Sequence, residues 1–452
     1  MKILEFARSA LFCTADFLKG GSIKGHLNDI AFIQENYPNE GAIDRHNTYL
    51  KELLEHAAKT VPFYKILERE GNVLEDFPVV DKALMRDNFE SFKSNIYQDK
   101  KQHKVSTSGS TGNPFNIFHD KNKRARNTAD TIYFAKKTGF NVGERLYYLR
   151  LWDKQYKKSD WLSWMQNIDM QSVDDLGEKE IESWLQRFGR DKSTKSLLAY
   201  TSALRSIIKH MDANNAKPLN TKVNSVIAIA EGLDDYVREG VQKYFNAEIV
   251  SRYSNSENGI IAQQPYGSRN FEINWASYHI EILDLNKDIP VKEGESGRIV
   301  VTDLFNYCMP MVRYDTGDIG CMARDAEGRL VFSQIEGRKM DMFTNTKGEY
   351  VSSHIVHHIL QFSEIDQFQF IEEENNEYVI KLKVSDRFDY ANEEKLINRY
   401  REYFGEDAKI KVVYVDDIPL LRSGKRKLVI NNAMKSRNRD ATNSKKPSLN
   451  RV

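Results

Sequence analysis

The chain has 452 residues, long enough for two or three domains with sizeable cores. Hydrophobic residues make up 40% and charged residues 29%, and 66 basic side chains nearly cancel 65 acidic ones, so no global field recruits nucleic acid. Cys13, Cys308 and Cys321 are far apart and form no CxxC pair, which argues against a disulfide framework and a zinc ribbon and suits a reducing cytoplasm.

The opening MKILEFARSALFCTADFLKGG is interrupted by Glu5, Arg8, Asp16 and Lys19 before it reaches signal-peptide or membrane-span quality, so no stable membrane insertion is expected. Leu4, Ala7, Leu11, Ala15 and Leu18 recur at helical spacing, which predicts an amphipathic helix packed on the core, with membrane-surface association as the minority reading. LKELLEHAAKTVPFYKILER and DKALMRDNFESFKSN continue a mainly helical region over residues 1–100. The cluster KNKRARN at 121–127 reads as a solvated helix face, with a phosphate or coenzyme contact as the lesser alternative.

From about residue 140 short apolar runs (RLYYLRLW, SVIAIA, EIVSRY) alternate with helical patterns (SLLAYTSALRSIIKHM, DDYVREGVQKYF), the rhythm of an α/β sheet. Trp152, Trp161, Trp164 and Trp184 fall in one window, where core filling competes with an acyl-pocket role, the segment near Trp152 being the better pocket candidate. Residues 277–337 are strand-rich and suggest a β-rich subdomain that closes an N-terminal domain of residues 1–337. After GRKMD, the helix-like SSHIVHHILQF, two strand-like runs in FQFIEEENNEYVIKLKV, the helix-like NEEKLINRYREYF and the strand-like KIKVVYV predict a small α+β domain over 338–433. His354, His357 and His358 include an i, i+4 pair without the intervening carboxylate of HExxH, so no metal is expected there. The basic, polar stretch 434–452 is expected to be a disordered tail.

Five chemistry-bearing motifs occur in one order. STSGSTGNP at 106–114 alternates hydroxyls and glycines, so that amides and Ser/Thr oxygens can wrap phosphate. It is not a Walker loop, because Asn113 follows Gly112 where a lysine is required, which disfavours a P-loop kinase. Alone it would pass for a flexible loop. YSNSE at 253–257, RYDTGD at 313–318, GRKMD at 337–341 and PLLRSGK at 419–425 accompany it.

With these motifs the sequence resembles the adenylate-forming superfamily of acyl-CoA synthetases, adenylation domains and luciferases over nearly its whole length. PFYKIL, FPVVDKALMRDNF and PLLRSGKRKLVIN make it similar to the phenylacetate-CoA ligase branch and its CapK-like members of capsular polysaccharide loci. The resemblance implies a large α/β N-terminal domain, a mobile α+β C-terminal domain, and ATP and magnesium as requirements. It implies that Thr107, Ser108, Gly109, Ser110, Thr111 and Gly112 hold the ATP phosphates, Thr111 also serving catalysis. Ala230, Glu231 and Gly232 would lie beside the adenine and Tyr253 would stack on it. Glu257 would hold magnesium, Asp318 would accept both ribose hydroxyls and Arg338 would touch the ribose. Lys425 would bridge the substrate carboxylate and the α-phosphate, stabilising charge that builds up in the transition state.

The implied reaction is acyl-AMP formation with release of pyrophosphate, followed by transfer to an acceptor, coenzyme A by default. An amine or sugar hydroxyl acceptor is the alternative, and a non-catalytic nucleotide-binding protein is the alternative of another class. A homodimer is left open. Three positions depart from the family pattern. Phe115 stands where many members carry lysine, Met340 and Asp341 occupy the hinge, and Gln264 with Pro265 replace cysteines of metal-binding relatives, so no structural metal is expected.

Overall fold

The computed structural model describes residues 2–67, 73–107, 115–152, 157–173, 176–338, 342–351, 355–356, 359, 364–419 and 427–433. The chain divides into two units, Met1–Thr316 with Gly320–Ile335, and Glu336–Val452 with Gly317–Ile319.

The first unit begins with helices α1 (Lys2–Leu18), α2 (Ser22–Asn36) and α3 (Glu40–Thr60). Helix α3 buries Ala42, His46, Leu53, Leu54, Ala57 and Ala58 along one stripe, and Glu40 and Lys59 complement the helix dipole at its two ends. Short 3-10 turns surround α4 (Lys82–Asp87), after which the hairpin β1 (His103–Ser106) and β2 (Asn116–His119) leads into α5 (Lys121–Lys137). Asp120 caps α5 by accepting from the Lys123 amide at 2.8 Å.

A parallel sheet follows, built from β3 (Arg145–Arg150), α6 (Asp160–Gln166), β4 (Ile168–Ser172), α7 (Glu178–Arg190), β5 (Lys195–Tyr200), α8 (Thr201–Ala213), β6 (Val223–Ile229), α9 (Asp235–Phe245) and β7 (Ile249–Asn255). Its central strands are continuous apolar runs because both faces are covered. Leu197, Val226 and Ile249 pack with Trp184, Phe188, Leu204 and Val241 of the crossover helices. Strand β8 (Gly259–Gln263) turns back antiparallel, and β9 (Phe271–Ile273), β10 (Tyr278–Leu283), β11 (Ser296–Asp303), β12 (Tyr314–Arg324) and β13 (Leu330–Arg338) extend the ladder. The resulting 11-stranded order is β10-β11-β12-β13-β9-β8-β7-β6-β5-β3-β4, so the strand-rich run from 277 is hydrogen-bonded into the same sheet.

In the second unit β14 (Phe343–Thr344) pairs with β15 (Tyr350–Val351). A four-stranded sheet is formed by β16 (Ile365–Glu372), β17 (Glu377–Val384), β18 (Lys409–Tyr414) and β19 (Val429–Asn431), with α10 (Asn392–Phe404) packed on it. Asn375 and Asn376 take φ of 60° each, the left-handed geometry that lets so short a turn join β16 to β17. Leu396, Tyr400 and Phe404 meet Phe343, Phe370 and Tyr378, with the Tyr378 and Phe404 rings stacked at 4.2 Å. The expected helix in SSHIVHHILQF, His354, His357 and His358 included, falls largely outside the described residues, as does the tail 434–452.

Two helices present the opposite face from the expected one. KNKRARN is not a solvated face throughout, because Lys123 and Arg126 of α5 are fully buried. The Lys123 ammonium lies 2.6 Å from the equally buried Asp303 and donates to Tyr278 Oη at 3.2 Å. Arg126 pairs with Asp29 at 2.7 Å and donates to Ser277 Oγ and the Ala276 carbonyl. Conversely, α1 does not pack its apolar residues on the core: Leu4, Leu11 and Leu18 are exposed. Gly143, at φ +98°, approaches the opposite side so closely that a Cβ there would lie 2.3 Å from the Glu5 carbonyl oxygen.

Removing one partner of a buried ion pair strands the other charge in the core, at a cost of about 3–5 kcal/mol. Asp303→Ala is therefore expected to lower urea stability by that order, whereas the apolar double variant Lys123→Met with Asp303→Leu recovers most of the loss. Equal loss in both proteins would mean that the pair is not what the charges are matched against.

Candidate active site

Glu257 sits in the turn from β7 to β8. Asn255 Oδ1 accepts from the Asn258 amide at 2.7 Å and fixes this turn. Gly259 closes it at φ +115°, where a Cβ would press within 2.9 Å of Asn127 Oδ1 and 3.1 Å of Tyr278 Oη, so only glycine fits. The Glu257 side chain is 2% exposed, and its Oε1 receives the Lys82 ammonium at 2.6 Å and the Tyr314 hydroxyl at 3.0 Å. Its main-chain carbonyl accepts from His119 Nε2 at 2.7 Å, and the neighbouring Asn258 carbonyl accepts from Tyr278 at 2.6 Å.

Each partner is itself positioned. Lys82 opens α4, which is tied to the start of β12 through the Val80 amide to the Arg313 carbonyl (3.0 Å) and the Asp315 amide to the Val80 carbonyl (2.8 Å). Tyr314 is parallel to Phe115, ring centroids 6.4 Å apart at 7°. Phe115 is thus a core residue at the base of the β1–β2 hairpin. The Thr107 amide donates to the Phe115 carbonyl at 2.8 Å, so Thr107 and Phe115 face each other where the segment 108–114 departs. Ser108, Gly109, Ser110, Thr111 and Gly112 themselves lie outside the described residues, as do Met340, Asp341 and Lys425.

Tyr253 is four residues upstream of Glu257 on β7, with its ring edge-on to Phe332 at 6.2 Å and its hydroxyl 3.4 Å from Thr316 Oγ1. Ala230, Glu231 and Gly232 follow β6, whose last residue, Ile229, pairs with Arg252. Ala230 takes φ +72°, a sparsely populated geometry for a residue with a side chain. The Glu231 carboxylate accepts from the amide and hydroxyl of Ser202 at 2.7 and 3.1 Å, binding the start of α8 and leaving the Ala230–Gly232 backbone at the strand end. Asp318 lies on β12 and Arg338 ends β13.

Lys82, Tyr314 and His119 were not singled out by sequence reasoning. Lys82 belongs to the FPVVDKALMRDNF segment that marked the branch, and Tyr314 to RYDTGD, so the signal was present as motif membership without a role. Of the four tryptophans, Trp184 is core, Trp161 and Trp164 are exposed on α6, and Trp152 stays beside Tyr148 and Arg150 at the end of β3. Gln264 is buried in a protein network, accepting from the Ser251 amide and donating to the Arg269 carbonyl.

Arg252 stands apart. It is 7% exposed, donates through Nε to Gln263 at 2.8 Å, and its Nη2 has no hydrogen-bond partner among the described residues. Burial pulls its pKa down to about 10, and the ionisable group nearest enough to act on it is Tyr148. Of the other buried cations, Lys123, Arg126, Arg298 and Arg313 each face a carboxylate, and the Lys195 ammonium donates to the Phe188 and Asp191 carbonyls.

Burial, reinforced by Lys123, depresses the His119 pKa to about 4. Burial, with His46 and Arg313, depresses that of His279 to about 3. Both imidazoles are neutral when folded and return to about 6.5 on unfolding. Between those values the unfolded chain binds more protons, so stability falls as pH drops from about 6.5 towards 4. Urea midpoints are expected to decline across that window, and His119→Gln to flatten the decline. An unaltered slope in that variant would remove His119 from the account.

Residues 343–432 match the CapK C-terminal domain. The chain is 22% identical to Protein CapK of Staphylococcus aureus over 439 residues, 92% of this chain and 94% of that protein. Among solved structures it is similar to 2-hydroxyisobutyryl-CoA ligase in the postadenylation state with 2-HIB-AMP, at a TM-score of 0.70 and 17% identity over 91% of this chain and 94% of that one. It is also similar to the anthranilate CoA ligase AuaEII with anthranoyl-AMP, at a TM-score of 0.52 and 16% identity over 75% and 67% of the two chains. ATP-bound MatB from Rhodopseudomonas palustris gives a TM-score of 0.52 and 14% identity over 75% and 68%. The chain thus has the fold of the adenylate-forming acyl-CoA ligases, with residues 343–432 matching the CapK C-terminal domain.

Proposed function

We propose that this protein activates a carboxylic acid with ATP and passes the acyl group to coenzyme A. The observation that carries this reading is the link from the Thr107–Phe115 base through Tyr314 to Glu257, which joins two motifs 150 residues apart in one cluster. In the first step a carboxylate oxygen attacks the α-phosphorus, the bond to the bridging oxygen of pyrophosphate breaks, and acyl-AMP remains. In the second the thiol sulfur attacks the acyl carbon, its proton goes to solvent and AMP leaves.

Thr107 and the residues Ser108, Gly109, Ser110, Thr111 and Gly112 hold the phosphates in this reading, with Tyr253 and the Ala230–Gly232 backbone at the adenine and Asp318 and Arg338 at the ribose. Lys425 stabilises the charge that develops on attack. Glu257 suits magnesium: Oε1 is engaged by Lys82 and Tyr314, which leaves Oε2 for a hard cation. No group of three or more His, Cys, Asp or Glu that could hold a metal occurs among the described residues, so ATP phosphates and water would complete the shell. Bound there, magnesium would neutralise phosphate charge.

Arg252 bears on the acid. Ligands of open α/β sheets bind outside the carboxyl ends of the strands; Arg150 and Tyr200 end β3 and β5, and Tyr148, two residues before the end of β3, acts on the Arg252 guanidinium, which comes from the middle of β7. A buried guanidinium whose Nη2 has no partner among the described residues favours an acid that carries a second anionic group. Peripheral use of the product in capsular polysaccharide assembly, in the cytoplasm, is the pathway reading, and rests on the similarity to CapK; unaltered surface glycans in a strain lacking the protein would oppose it.

Pyrophosphate release measured over aryl, aliphatic, amino, sugar and dicarboxylic acids, with and without coenzyme A, tests the whole. Release is expected with one acid class, and Lys425→Ala is expected to slow it by roughly 10²-fold or more while ATP binding persists. Arg252→Gln should lose preference for the doubly charged acids and keep that for neutral ones. ADP formation would instead indicate a phosphotransferase, acyl transfer only to amines or sugars would replace the thiol acceptor, and ATP binding without pyrophosphate would indicate a non-catalytic protein.

A further inference from the structure

Helix α1 holds its apolar side outward. At about 100° per residue its exposed apolar positions fall within an arc of about 160°. Ile3, Leu4, Phe6, Leu11, Phe17 and Leu18 on that arc are each 55–82% exposed. The orientation is fixed from the inner side. The Glu5 and Ser9 backbone abuts Gly143, the Arg8 guanidinium sits 5.5 Å over the Trp164 ring, and Asp16 accepts from the Ile23 and Lys24 amides at 3.1 and 2.9 Å. The helix cannot roll to bury its apolar arc without breaking these contacts. Trp161 and Trp164 of α6 are 68% and 66% exposed, and Arg8 ties the second of them to α1.

We propose that α1, with Trp161 and Trp164, seats the protein on an anionic membrane surface, the helix axis lying in the headgroup plane. Charge favours this occupant on balance: Lys19, Lys24 and Lys157 are exposed and Arg8 is half-buried, against an exposed Asp160 and a half-buried Glu5, while the Asp16 carboxylate is engaged with backbone amides. Shape favours it as well. A second copy meeting α1 helix to helix would cover a seam of a and d positions, much narrower than the arc, and would leave phenylalanine and leucine in water. A bilayer interface takes the whole arc, and indole rings prefer that depth. The attachment is peripheral, because among the described residues no helix is long and apolar enough to cross a membrane. It is independent of the reaction proposed above.

Flotation of the full chain with vesicles of phosphatidylglycerol and phosphatidylcholine, and with phosphatidylcholine alone, tests the proposal. Binding is expected to the anionic vesicles, to weaken as salt rises, and to fall roughly tenfold or more in Phe6→Asp with Phe17→Asp. Both positions are exposed, so circular dichroism and the thermal midpoint of that variant should match the parent. Absence of binding to either vesicle, or equal binding by the variant, overturns the proposal. So does a parent that sediments as a dimer without binding vesicles and becomes monomeric in the variant, which would assign the face to a second copy.

Discussion

The candidate site depends on a pair of charges that never meet water, Lys123 and Asp303. Helix α5 carries Lys123, Arg126 and Asp130, and each is matched by a group from a distant segment: Asp303 at the end of β11, Asp29 on α2, Ser277 before β10. Net stabilisation by a buried ion pair is small, but an unmatched buried charge costs several kcal/mol. One seating of α5 satisfies all three. From that seating the position of Glu257 follows, because Lys123 donates to Tyr278, Tyr278 donates to the Asn258 carbonyl, and His119, just before the helix, donates to the Glu257 carbonyl. Both carbonyls of the turn that presents the carboxylate are therefore held by residues anchored at α5.

The same helix start also governs the approach to the phosphate-type loop. Asp120 caps α5 through the Lys123 amide and accepts from the amides of Tyr307 and Cys308, so β2, α5 and the segment after β11 share one carboxylate. Thr107 and Phe115 are then fixed at the hairpin base, and the Phe115 ring sets Tyr314 against Glu257. Phe115 contributes packing, and Tyr314 and Lys82 supply the donors to this carboxylate.

Much of this was legible before coordinates. Alternation of apolar runs with helical patterns located β3, β6, β7, α8 and α9, because a sheet buried on both faces leaves little room for polar residues, whereas SLLAY, read as part of the following helix, belongs to the strand β5. NEEKLINRYREYF and KIKVVYV became α10 and β18, and the two strand-like runs in FQFIEEENNEYVIKLKV became β16 and β17. Motif order identified the strand ends that carry Tyr253 and Glu257. What could not be read was who pairs with whom. Lys82 and Glu257 are 175 residues apart, and nothing in either neighbourhood encodes a 2.6 Å contact. Nor did its motif announce that the Glu231 carboxylate holds Ser202.

The two reversed helices have one physical cause. Periodicity tells which residues share a face, but it leaves open which face turns inward. On α5 the inward face is charged because acceptors from α2, β10 and β11 are waiting there, and a matched charge can be buried where an isolated one cannot. On α1 the inward face carries Glu5, Arg8 and Asp16, which find a tight glycine approach, an indole ring and two backbone amides, and the apolar arc is left to the outside. A hydrophobic helix face points to the core only when the core has no better use for the other side. Here specific polar contacts decide the orientation in both cases, and they override the hydrophobic pattern because each is made by a group whose partner the fold has already fixed.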